Sequence, residues 1–187
     1  EGGEGTRIKE IDVQLPPEIR REVVPGDRLL GDMLEAGELD AYVGARRPPA
    51  FTAGSPRVRR LFPDFRQVER AYYGKTGIFP IMHTVVVRAE LVHEHPWLAM
   101  SLVKAFTEAK ALAYERLDFT AALAYAIPWL VAEVEETRAL MGADPFPYGV
   151  SRNRKTVETL AGYTAKQGLA PRRLTVEEMF VESTLAT

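Results

Sequence analysis

The feature that most constrains this chain is the apolar run from Ile78 to Val87, which follows the chain-breaking glycines Gly74 and Gly77. Its centre, Thr84-Val85-Val86-Val87, is β-branched throughout. Such side chains are restricted at χ1 and pack well on a pleated surface. A continuous run of this kind predicts a strand buried on both faces, the pattern of parallel sheets covered by helices. One such strand cannot stand alone, so the rest of the chain is read for its neighbours.

Short α/β units precede it. Arg7 to Gln14 sets Ile8, Ile11 and Val13 among charges and ends at Pro16-Pro17, an irregular strand. Ile19 to Val24 is a second extended stretch before Pro25-Gly26. Asp27 then stands where an N-cap belongs, Leu29, Leu30, Met33 and Leu34 fall at helical spacing, and Gly37 is the stop. Asp40 to Ala45 predicts a buried strand after a short join. Arg46 to Ser55 is a loop, Arg57 to Phe62 a short strand, and Phe65 to Tyr73 an amphipathic helix.

From His95 the chain reads as helical. Pro96 suits a first turn, and Leu98, Leu102, Ala105, Phe106, Ala109, Leu112 and Ala113 make one apolar stripe. A second helical region spans Thr120 to Met141, broken at Pro128, and a third runs from Asn153 to Gln167 before Gly168. Thr175 and Glu178 have the spacing of a capping box. The order is βα units, one central strand, then helices: an α/β chain with a helical C-terminal half. The strands are too few for a closed sheet. The opening Glu1-Gly2-Gly3-Glu4-Gly5, without an initiator Met, reads as a cut.

Charge and composition narrow the chemistry. A net charge of -2 gives no basic surface for phosphate neutralisation, so nucleic acid is not an expected partner. The absence of cysteine removes disulfides, thiolate metal sites and cysteine nucleophiles. No window reaches bilayer-spanning length, and the longest candidate helix carries Lys104, Glu108, Lys110 and Glu115. No signal peptide is visible in these residues.

Some side chains stand where chemistry could occur. Arg46 and Arg47 follow the end of a predicted parallel strand, the edge at which open α/β sheets hold ligands, and an Arg there can grip a carboxylate through two parallel hydrogen bonds. The plain alternative is a solvated basic loop stiffened by Pro48-Pro49. His83 lies inside the apolar run between Met82 and Thr84; an imidazole there is either an acid, base or anion ligand, or a core histidine satisfied by a carbonyl. Tyr72, Tyr73 and Phe79 could face a ring-shaped ligand, or simply pack. His93-Glu94-His95 lacks the spacing that puts two imidazoles on one helix face, so no metal site is read there. Arg57, Arg59, Arg60, Arg66 and Arg70, like Arg152, Arg154 and Lys155, read as solvated faces. No phosphate loop or serine-nucleophile elbow occurs.

Taken together, several strings carry a resemblance. Leu61-Phe-Pro-Asp64, Ala71-Tyr-Tyr73, the run from Gly77 through Phe79, Pro80 and His83 to Val86, and His95-Pro-Trp97 closely resemble 4,5-dihydroxyphthalate decarboxylases. So do Val134 to Gly142, Pro147-Tyr-Gly149, Asn153-Arg-Lys-Thr156 and Arg172-Arg-Leu-Thr175. The resemblance implies the C-terminal portion of a two-lobed, type II periplasmic-binding-protein-like fold, with residues 1–79 in the second lobe and 80–187 returning to the first. In that layout His83 and Thr84 sit where the chain crosses between lobes, facing the cleft, with Arg46 across it.

The implied function is cofactor-free decarboxylation of a hydroxylated aromatic acid such as 4,5-dihydroxyphthalate, in the cytoplasm. A divalent metal is left open but not indicated. His83 would be the acid, Arg46 and Arg47 the carboxylate anchor, and Tyr72, Tyr73 and Phe79 the ring contacts. The alternative is a non-catalytic, periplasmic solute-binding protein that delivers a small organic acid to a transporter. A chain lacking part of its cleft would expose apolar surface, which leaves homo-oligomers open.

Overall fold

A computed structural model describes residues 15–24 and 28–187. The described residues form helices α1 (Leu30–Ala36), α2 (Pro49–Thr52), α3 (Phe65–Thr76), α4 (Ala89–Glu94), α5 (Leu98–Asp118), α6 (Leu130–Met141), α7 (Val150–Lys166) and α8 (Val176–Met179), with a 3₁₀ turn at Glu182–Thr184. The stops at Gly37 and Gly168 are as the sequence predicts. Both residues take positive φ, 81° and 73°. At the second, Leu169 N–H returns to Thr164 O at 2.9 Å and Gly168 N–H to Ala165 O at 3.2 Å, closing the last carbonyls of α7.

No strand occurs among the described residues, and this overturns the α/β reading together with its two-lobed, sheet-based, periplasmic-binding-protein-like layout. Ile19 to Val24, Asp40 to Ala45, Arg57 to Phe62 and Ile78 to Val87 are all irregular. Val43, read as buried, is 98% exposed, and Val86 is 87% exposed. The physical reason is that a strand is completed by a neighbour that takes up its N–H and C=O groups. Composition supplies the propensity, and no such neighbour is present among these residues. The strand read over Arg7 to Gln14, and the N-cap read at Asp27, lie outside the described residues.

The chain divides into two units, one from Pro17 to Ala71 and one holding Tyr72–Thr187. The division falls within α3. In the first unit α1 packs on α2 closely enough that a Cβ at Gly31 would lie 3.3 Å from Pro48 Cβ. Arg57 donates to Ala36 O at 3.2 Å, at the end of α1. The Arg60 guanidinium lies over the rings of Phe51 and Phe65, 5.3 and 4.4 Å from their centroids, so its charge stays wet while its plane covers apolar surface.

In the second unit α5 contacts α4, α6 and the 3₁₀ turn, and α7 contacts α8. Arg138 of α6 grips Asp118 of α5 through two hydrogen bonds, 2.5 and 3.2 Å. Among the described residues the buried apolar side chains are Ile78, Ala99, Val150, Ala161 and Val176. The face that α5 turns inward matches the predicted stripe only at its start, at Leu98 and Leu102. Ala99, Leu102, Val103, Lys110, Tyr114 and Leu117 are buried or half-buried, whereas Phe106 and Leu112 are exposed. The region predicted helical from Thr120 becomes a helix only at Leu130, after Pro128 and a positive-φ Trp129.

At the start of α7, backbone N–H groups that have no partner inside the helix are taken up by the end of the chain. Ser151 N–H donates to Thr187 O at 2.8 Å, and Val150 N–H to Thr187 Oγ1 at 3.2 Å. The capping box forms as predicted. Thr175 Oγ1 accepts from Glu178 N–H, and Thr175 N–H donates to Glu178 Oε2 at 2.9 Å.

Candidate functional site

The segment that carries His83 begins as a well-anchored turn. At the end of α3, Thr76 Oγ1 donates to Tyr72 O at 2.7 Å and accepts from Ile78 N–H at 3.1 Å. Gly77 takes φ 66° and donates to Tyr73 O at 2.6 Å, which turns the chain out of the helix. Ile78 then drops into the core at 8% exposure. Phe79 meets Phe146 edge to face, with ring centroids 5.4 Å apart and planes at 88°.

Two side chains of α7 complete this anchor. Lys155 Nζ donates to Thr76 O, placing a positive charge against the carbonyl end of α3. Asn153 Nδ2 donates to Pro147 O at 2.7 Å and to Gly149 O at 2.8 Å, which fixes the turn that presents Phe146. Beyond Phe79 the support ends. Ile81 to Val86, including His83 and Thr84, are exposed. That placement removes the core-histidine alternative for His83.

The other predicted residues fall as follows. Tyr72 is exposed and Tyr73 half-buried, at the end of α3 next to this turn. Arg46 and Arg47 are exposed on the loop ahead of α2, in the unit from Pro17 to Ala71, and the stretch from Asp40 to Ala45 before them is irregular and not a strand. The structure thus brings Tyr72, Tyr73 and Phe79 to the root of the segment bearing His83 and Thr84, all within the second unit.

Sequence reasoning missed a polar cluster near Phe146. The Lys110 ammonium, on a side chain 12% exposed, hydrogen-bonds both oxygens of Asp144 at 2.8 Å and Phe146 O at 2.9 Å, and lies 4.5 Å from the Tyr148 ring centroid. Its three protons are thereby taken. Arg152 adds a contact to Asp144 Oδ2 at 3.0 Å, and Tyr114 Oη lies 3.4 Å from Oδ1. Burial pushes the Tyr114 phenol up, and the Asp144 carboxylate adds to that shift. Beside the cluster is an open hollow of about 350 Å³ walled by Phe106, Ala109, Ala113, Phe146 and Tyr148. The signal available in the sequence was Lys110 itself, a charge at helical spacing among apolar residues.

Arg152, Arg154 and Lys155 are therefore not a merely solvated face. Arg154 pairs with Glu158 at 3.4 Å and with Glu177 at 2.8 Å, tying α7 to α8. His93 lies on α4, and the His95 ring packs beside Trp97 with centroids 5.7 Å apart. Among the described residues no group of three or more His, Asp or Glu side chains is arranged to hold a metal ion. No helix among them is long and apolar enough to cross a membrane.

No family model matches the chain. It is similar to 4,5-dihydroxyphthalate decarboxylase of Comamonas testosteroni, with 37% identity over 180 residues, covering 96% of this chain and 54% of that protein. It is also similar to the protein of the same name from Pseudomonas putida, with 41% identity over 58 residues, 31% of this chain and 22% of the relative. The chain thus spans about half the length of the first relative and a smaller share of the second. The resemblance read from its strings is borne out along nearly the whole sequence.

Proposed function

We propose that this chain takes part in the non-oxidative decarboxylation of a hydroxylated aromatic acid such as 4,5-dihydroxyphthalate. The observation that carries the reading is the 37% identity, across 96% of the chain, to a protein named for that reaction. In the reaction a proton adds to the ring carbon that bears the carboxylate, giving an electron-poor ring intermediate; the bond from that carbon to the carboxylate then breaks, its electron pair returns to the ring, and CO2 leaves. For 4,5-dihydroxyphthalate the remaining product is 3,4-dihydroxybenzoate. The ring hydroxyls stabilise the intermediate by donating electron density. The protein's tasks are to hold the retained carboxylate and to supply a proton at the right carbon.

In this reading His83 supplies that proton or polarises a ring hydroxyl. Its exposure leaves the imidazole accessible to a small molecule, and an imidazole can serve as acid or base. Arg46 and Arg47, side by side on their own loop, offer guanidinium groups suited to a carboxylate. Tyr72 or Tyr73 and Phe79 offer ring faces or a hydroxyl to the substrate, and Thr84 a further hydroxyl. The chemistry needs no organic cofactor. The reading fits a cytoplasmic enzyme of aromatic catabolism.

The test supplies protein bearing this sequence with 4,5-dihydroxyphthalate and follows release of CO2 and 3,4-dihydroxybenzoate, with His83→Ala alongside. Turnover that falls at least about a hundredfold in the variant supports the reading, as loss of a positioned acid costs on that order. Tight binding without turnover would replace the enzyme with a solute-binding protein. Undiminished turnover in His83→Ala would remove the role given to that residue.

A further inference from the structure

We infer that Asn153 and Lys155, two residues apart in the first turns of α7, are positioning residues that set where the His83-bearing segment leaves the fold. The inference rests on the decarboxylase reading for its kinetic consequence, and on geometry alone for its structural one.

The segment has a single well-supported root, residues 76–79, and this root is held on both flanks from α7. On the upstream flank, Lys155 Nζ donates to Thr76 O, at the carbonyl end of α3. The last carbonyls of a helix have no partner inside it and carry the negative end of its dipole, so an ammonium there both satisfies the acceptor and favours the helix end. The partners are 79 residues apart in sequence, so the bond fixes a tertiary relation and not a local turn. On the downstream flank, Asn153 spends both amide protons on Pro147 O and Gly149 O. These bonds hold the turn in which Phe146 precedes α7, and Phe146 in turn meets the Phe79 ring edge to face.

Between the two flanks the chain changes direction at Gly77 and buries Ile78. His83 stands four residues beyond Phe79, on a stretch whose exposed side chains give it little other support. The direction in which that stretch departs is thus set by four contacts: Lys155 to Thr76, Asn153 to its two carbonyls, and Phe146 to Phe79. Neither Asn153 nor Lys155 is placed to react; each acts through the root.

The inference is tested on protein bearing the full sequence, as wild type and as Lys155→Met, Lys155→Arg and Asn153→Asp. Methionine keeps the stem but not the charge, and arginine restores a cationic donor. Aspartate keeps the shape of asparagine while presenting oxygen to two carbonyls. Two readouts need no turnover: amide hydrogen exchange at Gly77 and Ile78, and the carbon-bound imidazole proton resonances of His83. Lys155→Met and Asn153→Asp are expected to speed exchange at both amides by about tenfold or more and to shift or broaden the His83 signals, as local opening at the root becomes easier. Lys155→Arg is expected to restore both. Exchange and His83 signals unchanged in Lys155→Met would overturn the inference.

Where the wild type turns over 4,5-dihydroxyphthalate, Lys155→Met is expected to lower kcat by about ten- to a hundredfold with KM within about twofold, since misplacing a reacting group by about 1 Å costs on that order. An unchanged kcat beside faster exchange would also overturn it, by reducing the contact to a purely structural one. Absence of turnover in the wild type would strike the decarboxylase reading alone, and the exchange and resonance data would still judge the anchor.

Discussion

The ammonium of Lys110 on α5 stands 2.8 Å from both carboxylate oxygens of Asp144, in the turn region ahead of α7. At 12% side-chain exposure Lys110 has little water to fall back on, while Arg152, the second cation on Asp144, is 61% exposed. The two contacts should therefore differ sharply in worth. Asp144→Ala leaves a partly buried ammonium short of two acceptors and is expected to cost about 1–3 kcal/mol. Arg152→Ala removes an exposed partner and is expected to cost no more than about 0.5 kcal/mol. Urea unfolding midpoints of the two variants check this, and equal shifts would refute the asymmetry.

The α8 clasp carries a pH signature. The Arg172 guanidinium, and after it the Thr175 backbone N–H, hold the Glu178 carboxyl down to about 2 from an ordinary value of 4.5. Glu177 is also lowered, by backbone N–H donation first and then by Arg154. A lowered folded-state pKa means that the ionised form belongs to the folded protein. The contribution is therefore complete above about pH 4.5 and is lost as the pH falls from there towards 2. Amide exchange at Glu178, whose N–H is bonded to Thr175 Oγ1, should quicken in that window relative to amides inside α7. In Glu178→Gln the extra acid sensitivity should shrink, because the titrating group is gone.

Glycines in and just beyond α7 should respond to alanine in opposite directions. Gly162 is inside the helix, and a Cβ there meets nothing within 4 Å, so Gly162→Ala is expected to stabilise by about 0.5–1 kcal/mol through helix propensity. Gly168 has φ 73° and closes the C-terminus, so Gly168→Ala is expected to destabilise by about 1 kcal/mol. Thermal unfolding of the pair decides it, and shifts of the same sign would mean that the end of α7 is built differently.

What could be read from the sequence follows the range of the interactions involved. The stops at Gly37 and Gly168 and the capping box at Thr175 and Glu178 depend on residues within one or two turns, and all three form. The strands read over described residues did not form, because β-branched composition sets a preference that only a distant partner can satisfy. On α5 the period was legible but the buried face only at its start, since Lys110 turns inward to meet Asp144, 34 residues away. At the site, the aromatic residues Tyr73 and Phe79 could be picked out by type. The roles of Asn153 and Lys155 could not, because one supports a ring through a turn and the other a carbonyl 79 positions away.

The run from Ile78 to Val87 offers the sharpest comparison between sequence and structure. As one doubly buried strand, its ends would resist truncation alike, and Ile78→Ala and Val86→Ala would both be costly. The structure separates them, with Ile78 8% exposed beneath the turn after α3 and Val86 87% exposed on an irregular stretch. Removing three buried carbons from Ile78 takes away both transfer free energy and packing, so Ile78→Ala is expected to cost about 2–4 kcal/mol. Val86→Ala removes only carbons already in water and is expected to stay within about 0.5 kcal/mol. Chemical denaturation of the two variants gives the answer directly. A comparable loss for Val86→Ala would mean that this residue is covered in solution, and the segment bearing His83 could not then be as accessible as its proposed chemistry requires.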